Sequence, residues 1–315
     1  MVRRDHCGYV RLRVTSQGHV RGVGVFKRLV IATDLRDGLH RFSHFLPALG
    51  AGGIEAVTFV HGVPYRDVGV RVREDTEALA AAAAKLTLPS DTGGVQVQRV
   101  IRSGKPAEVV VQAAQEVGAD VIIVGTQQRN VLTEKLVGSD ALNIIRKCEI
   151  PLMVIRPQLV QVLTAEELDL RCRHLFYHLM LPYRGHPESQ HLLHSVLAQV
   201  QKNPVPRVEC CHLVWVVEDP IRRDFDPDPQ EIRRAEQELQ TVAAQLSPYI
   251  PQVYTHVRTG NPVEACMTLA QTLDISAVTL TEAHMTKLWD ISPSLGGELL
   301  RRIPYPLILF SSPDK

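Results

Sequence analysis

Residues 125–140 of this 315-residue chain read GTQQRNVLTEKLVGSD and follow the apolar run Val121–Val124. Gly125 and Gly138 bracket a basic, polar stretch, and Ser139 and Asp140 come directly after the second glycine. This pattern suits a phosphate. Backbone N–H groups reach an anion where no Cβ intervenes or where φ is positive, and a helix opening at Gly-Ser offers its positive end and a hydroxyl. A second candidate lies upstream, where the apolar run Lys27–Thr33 ends at Asp34. Ala32, Thr33 and Asp34 would then occupy the carboxyl end of a strand, where doubly wound sheets take their ligands. Each group also has a purely structural reading, with Gly125 as a strand-end turn, Gly138-Ser139 as a helix cap and Asp34 as a loop carboxylate.

The remaining reactive side chains form weaker patterns. His174, His178, His186, His191 and His194 fall near one predicted strand and its turn, and Cys210, Cys211 and His212 fall in another. A zinc site in this half is conceivable, which would make the protein a metal-binding one. However, strand alternation sends Cys210 and Cys211 to opposite faces, and no ligand pair has zinc-finger spacing. The simpler reading is of cysteines as small core residues and solvated histidines, with no metal ligand assigned. Gly22-Val-Gly24 precedes a strand instead of following one, so it is no dinucleotide fingerprint. The chain shows no GxSxG, HExxH or GxxxxGK[ST] motif and no convincing carboxylate pair. No catalytic residue is assigned, and the chain reads as a non-enzyme capable at most of slow nucleotide hydrolysis by positioning alone.

Composition narrows the classes further. With 35 basic and 34 acidic residues the formal charge is +1, which gives no field to recruit nucleic acid or an anionic membrane. No apolar run approaches a membrane span, and the N-terminus lacks the apolar core of a signal peptide. The six cysteines, none in a CxxC pair, point to reduced thiols and a cytoplasmic protein.

The elements that must position these residues alternate between strand and helix. Strands are expected at 27–33, 54–60, 95–101, 121–124 and 151–155, with helical spacing over Leu39–Leu49, a helix over Asp75–Leu86, another from Pro106, and a short one over Asp140–Lys147. Such alternation argues for a doubly wound parallel sheet. The second half repeats the first. Ile101–Glu108 (IRSGKPAE) lies against Val257–Glu264 (VRTGNPVE), and Ile150–Ile155 against Tyr305–Phe310, an offset of about 155 residues and so of domain size. The organisation expected is an N-terminal extension (1–24), a first domain (25–157), a linker helix (158–172) opened by Thr164 and Glu167, and a second domain (173–315). The extension could be an extra β-hairpin, a basic arm or a start-site artefact.

These segments together carry a resemblance. IATD at the end of the first strand, VTFVHGVP in the second, IRSGKPAEVVVQAAQEVGADVIIVGT, the Gly138-Ser139 pair and IPLMVIRP resemble the universal stress protein family. The resemblance is clear over 26–157 and faint over 174–312, as in a tandem two-domain member. It implies an α/β fold of two five-stranded parallel sheets of order 3-2-1-4-5, of the adenine-nucleotide α-hydrolase-like kind. It also implies that the domains self-associate through their last strands, Leu152–Ile155 with Leu307–Phe310, as an intramolecular pseudo-dimer, and that whole chains could form a homodimer.

The family's nucleotide-binding branch resembles the pattern G-x2-G-x9-G-[ST]. Gly125, Gly138 and Ser139 match it, and Gln128 replaces the second glycine. Gln128 costs about 1 kcal/mol or more in a left-handed position and fills space near a β-phosphate, unless the loop shifts so that Gln128 or Arg129 donates to phosphate instead. Arg36 stands where the family often has serine. The resemblance implies ATP or a related adenine nucleotide in the first domain, with Asp34 at the adenosine. The binding candidates are Ala32, Thr33, Asp34, Gly125, Thr126, Gln128, Arg129, Gly138, Ser139 and Asp140. In the second domain Pro182 replaces Asp34, Thr281 replaces Gly125 and Pro293-Ser294 replaces Gly138-Ser139, so that site reads as degenerate. The expected function is nucleotide-linked regulation in the stress response. The alternative is a protein-interaction scaffold without nucleotide.

Overall fold

The structure, a computed structural model, describes residues 26–68, 71–126, 139–202, 208–218, 228–281 and 295–311. Gln128, Arg129, Gly138 and the extension 1–24 lie outside the described residues. The described residues divide into two compact units, Phe26–Leu175 with Pro306–Ser311, and Phe176–Tyr305.

In the first unit the strands are β1 (Arg28–Ala32), β2 (Ala56–Val63), a hairpin of β3 (Arg66–Val68) and β4 (Arg71–Arg73), β5 (Gln96–Ser103), β6 (Val121–Gly125) and β7 (Leu152–Ile155). The helices are α1 (Leu46–Ala51), α2 (Thr76–Lys85), α3 (Pro106–Glu116), α4 (Ser139–Lys147), α5 (Pro157–Val160) and α6 (Ala165–Arg173). The main sheet runs β5-β2-β1-β6-β7, all parallel, which is the expected 3-2-1-4-5 order. Leu29–Ile31 of β1 and Val121–Val124 of β6 are buried on both faces, as parallel strands covered by helices must be. Helix α3 packs mainly on β2 and also on β1, burying Val109, Val110, Ala113 and Ala114. At the amino end of the sheet the buried Asp120 carboxylate accepts the N–H groups of Lys27 and Arg28, each at 3.0 Å, and so fixes β1 beside β6.

The helical spacing over Leu39–Leu49 becomes a 3-10 helix over Leu39–Phe45 followed by α1. Pro47 is the reason, because a proline interrupts the i→i−4 bond and its ring collides with the carbonyl four residues back. The β3–β4 hairpin had no counterpart among the expected elements. Its strands are three residues each and mostly charged, too short for alternation to register. Helix α6 begins where the capping pair placed it, with the Thr164 hydroxyl accepting the Glu167 N–H at 3.3 Å. It packs on α1 through Leu168 and Cys172, and Arg41 donates to the Val160 carbonyl at 2.6 Å.

The second unit contains β8 (His178–Pro182), α7 (Pro187–Lys202), β9 (Cys210–Val217), α8 (Pro229–Leu246), β10 (Gln252–Thr259), α9 (Pro262–Thr272), β11 (Ala277–Thr281) and α10 (Leu295–Arg302). Its strands run β10-β9-β8-β11, again parallel. The first of them starts at His178, after His174 has closed α6 by donating its N–H to the Leu170 carbonyl. Asn261 caps α9 ahead of Pro262 by accepting the N–H groups of Val263 and Glu264, so this repeat of the Gly-x-Pro segment carries a stronger cap than Lys105 gives α3.

The last strand, β12 (Leu307–Phe310), belongs to the first unit, where it pairs antiparallel with β7 in the register Leu307↔Val154, Ile308↔Met153 and Leu309↔Leu152. All of these residues are buried, so the apolar edge of β7 is covered. Among the described residues no helix is long and apolar enough to cross a membrane.

Candidate functional site

In the first unit β1 lies between β2 and β6, so the strand order reverses at β1, and its carboxyl end opens beside that of β6. The register pairs Ala32 with Val124, which sets Thr33 and Asp34 next to Gly125 and Thr126. The loop after β1 is held by its own side chains. The Thr33 hydroxyl donates to Asp37 Oδ1 at 2.7 Å and accepts the Leu35 N–H at 2.9 Å. Asp34 Oδ1 accepts the N–H groups of Arg36 and Asp37, both at 2.8 Å, closing an Asx turn. Leu35 sits at φ 63°, in the left-handed region that side chains seldom adopt, and the Lys85 ammonium donates to its carbonyl. His61 donates from Nδ1 to the Thr33 carbonyl at 2.8 Å. With the loop fixed in this way, Asp34 stays exposed while Thr33 and Asp37 are buried.

Asp37 is the residue that sequence reasoning missed. Burial pushes its carboxyl above the ordinary carboxylate range, opposed by the bonds from Thr33 and from the N–H of Leu39 at 2.9 Å. It also accounts for Gly125. A Cβ at Gly125 would lie 2.8 Å from Asp37 Cβ and 3.1 Å from Oδ2, so this glycine makes room for a buried carboxylate. Its φ is not positive, so it serves space and not turn geometry. The signal was present in TDLRDG, where a hydroxyl and a carboxylate four residues apart precede a left-handed Gly38.

Of the other candidates, Thr126 donates its N–H to the Ile155 carbonyl at 3.0 Å, carrying the β6–β7 ladder one residue further. Ser139 and Asp140 form the first turn of α4, which packs against α3 and β7. The matching place in the second unit has other residues at its strand ends. β8 ends in buried Leu181 and Pro182, Tyr183 packs against Trp215 with ring centroids 6.1 Å apart, and Thr281 is fully buried. Pro293 and Ser294 lie outside the described residues.

Unit 176–305 also has a polar cluster at the opposite, amino ends of its strands. A cleft of about 280 Å³ is lined by His178 of β8, Cys210 and His212 of β9, Gln252, Tyr254 and His256 of β10, and the end of α9. Cys210 Sγ lies 3.2 Å from His212 Nε2, and His212 Nδ1 lies 3.0 Å from His256 Nε2. The Tyr254 ring stacks on His212 with centroids 5.2 Å apart. Burial holds both histidines neutral, lowering His212 to about 4 and His256 to about 3, and raises the Cys210 thiol to about 12. His174, His186, His191 and His194 take no part in lining this cleft, and His256, which does, carried no spacing signal in the sequence.

Comparison with known proteins gives the first unit a family resemblance. The profile of the Universal stress protein family matches residues 26–156. Over these 131 of its 315 residues the chain is similar to universal stress proteins. Universal stress protein G of Shigella flexneri and that of Escherichia coli O157:H7 are each 27% identical to it over 120 residues, covering 38% of this chain and 79% of theirs. The crystal structure of a universal stress protein from Archaeoglobus fulgidus matches across 92% of this chain and 98% of its own, with a TM-score of 0.59 at 16% identity. That similarity speaks for the fold alone. The match over residues 26–156 is what links the chain to the stress response.

Proposed function

We propose that this protein binds ATP or a related adenine nucleotide in the first unit only, and that occupancy regulates its contacts in the stress response. The observation that carries the reading is the pairing of Asp34 with the ends of β1 and β6. An exposed carboxylate is held in a fixed turn at the point where strand order reverses, which is where doubly wound sheets bind ligands. Asp34 takes the adenosine end in this reading. The phosphates lie toward the start of α4, where Ser139 and the positive helix end favour an anion. Thr33 and Asp37 act on the ligand only through the loop they hold, and no residue is given a catalytic role.

One observation favours the second reading, a scaffold without nucleotide. Gly125 is explained by Asp37 packing, so one of the three residues matching the family pattern has a structural reason to be glycine. Thermal unfolding with and without Mg-ATP separates the two. Ligand at a hundred times its Kd stabilises the folded state by about 2.7 kcal/mol, so a concentration-dependent rise in Tm is expected. An unchanged Tm at millimolar ATP favours the scaffold.

A further inference from the structure

The cleft in unit 176–305 lies away from the proposed nucleotide site, and its floor is one face of three strands. In the parallel register Cys210 stands between His178 and Gln252, with His212 and Tyr254 side by side two residues further on. Cys210, His212 and His256 are bonded to one another in a chain and form the closed back of the cleft. Among the described residues no group of three histidine, cysteine or carboxylate side chains could hold a metal ion. What the mouth offers is acceptors and flat rings. His178 approaches the Asp274 carbonyl with Nδ1 at 2.7 Å, and a carbonyl only accepts, so neutral His178 presents Nε2 as a lone pair. Asp274 is exposed and lines the cleft just past the carboxyl end of α9, where the helix dipole is negative. No lysine or arginine is among the described residues that line it.

The first unit shows what such a place takes. Asp120 donates its N–H to the Arg28 carbonyl and Ser276 donates its N–H to the His178 carbonyl, each at 2.8 Å, so Arg28 and His178 correspond. The same offset sets Gly118 against Asp274. A Cβ at Gly118 would lie 3.7 Å from Arg28 Nη2 and 3.8 Å from its Cζ, so a guanidinium rests at the carboxyl end of α3. In the second unit a half-buried imidazole replaces that cation and a carboxylate is added. We propose that the mouth of this cleft binds an alkylguanidinium, with the Asp274 carboxylate pairing with its N–H groups, His178 Nε2 accepting another and the Tyr254 ring flanking its plane. A guanidinium presents its donors in a planar fork that matches a carboxylate, and it stacks on aromatic rings. The volume of about 280 Å³ admits that group with a short alkyl chain.

The test is ligand-observed NMR titration of the full chain near neutral pH with propylguanidinium, with 1-butanol and butyrate as neutral and anionic controls. Saturable binding of the cation is expected, with much weaker binding of the alcohol and none of the anion. Asp274→Asn should weaken binding about tenfold or more, as loss of a charge-assisted hydrogen bond does. His178→Arg, which restores the residue of the first unit, should abolish binding by filling the place. Glu236→Gln, which removes an exposed carboxylate from α8, should leave affinity unchanged. N-acetylarginine amide separates two sources of the same chemistry, and both results support the site: tighter binding than propylguanidinium assigns it to an arginine side chain of another polypeptide, weaker binding to a free small molecule. No saturable binding, equal binding of 1-butanol, or wild-type affinity in folded Asp274→Asn or His178→Arg would overturn the proposal.

Discussion

After β1 the chain passes through Thr33, Asp34 and Asp37, a hydroxyl and two carboxylates that bond one another and the backbone around them. After β8 it passes through Pro182 and Tyr183, packed against Trp215, with no carboxylate where Asp34 stands. The two units share the order of their first four strands and the Gly-x-Pro helix start, yet one holds its loop after the first strand with Thr33, Asp34 and Asp37, whereas the other has Pro182 and Tyr183 there, with Arg184 paired to Glu218 beyond them. The second unit has a further polar cluster at the amino ends of its strands, around Cys210 and His212. The fold tolerates this because the strands need only be buried on both faces, whereas the residues just beyond their ends are free to differ.

The sharpest way to break the comparison is at Gly125. Gly125→Ala places a Cβ 2.8 Å from Asp37, and overpacking of this kind costs about 1–3 kcal/mol. Denaturant unfolding should show that loss, and a neutral result would mean that Asp37 is not packed as described. The amino ends of the first strands offer the next contrast. Asp120 accepts two backbone N–H groups in the first unit, whereas Ser276 Oγ accepts one, from His178, in the second. Asp120→Ala should cost about 1–3 kcal/mol and Ser276→Ala about 1 kcal/mol, measured by the same unfolding. Equal losses would remove the distinction.

A smaller effect concerns pH. Because burial raises the Asp37 carboxyl, the folded chain holds that proton more tightly than the unfolded one. Its contribution therefore favours folding at low pH and is lost as pH rises from the ordinary value of 3.8 through the raised one. Asp37→Asn removes this dependence and leaves other pH-dependent groups in place. The Tm of the variant relative to wild type should be higher at pH 7 than at pH 3. A difference that does not change with pH would show that Asp37 is not desolvated.

Much of this fold was legible in the sequence because parallel strands covered on both faces leave continuous apolar runs such as Val121–Val124, and helices leave caps such as Thr164 with Glu167. The β3–β4 hairpin was not, since three-residue charged strands give no period, and Pro47 turned an expected helix into a 3-10 turn and a short α1. At the candidate site Asp34 and Gly125 stood out by their spacing, but the partner that explains Gly125 did not. Asp37 acts through a side chain folded back onto its own loop, which a spacing rule for backbone and phosphate does not describe. His256 escaped notice because its link to His212 joins neighbouring strands 44 residues apart in sequence.

The asymmetry between the two strand ends is tested most directly by the stoichiometry of ATP binding at equilibrium, measured on the full chain and on Asp34→Ala. One ATP per wild-type chain, with binding lost or strongly weakened in the folded variant, is expected. No saturable binding at millimolar ATP, two sites per chain, or one site indifferent to Asp34 would contradict it.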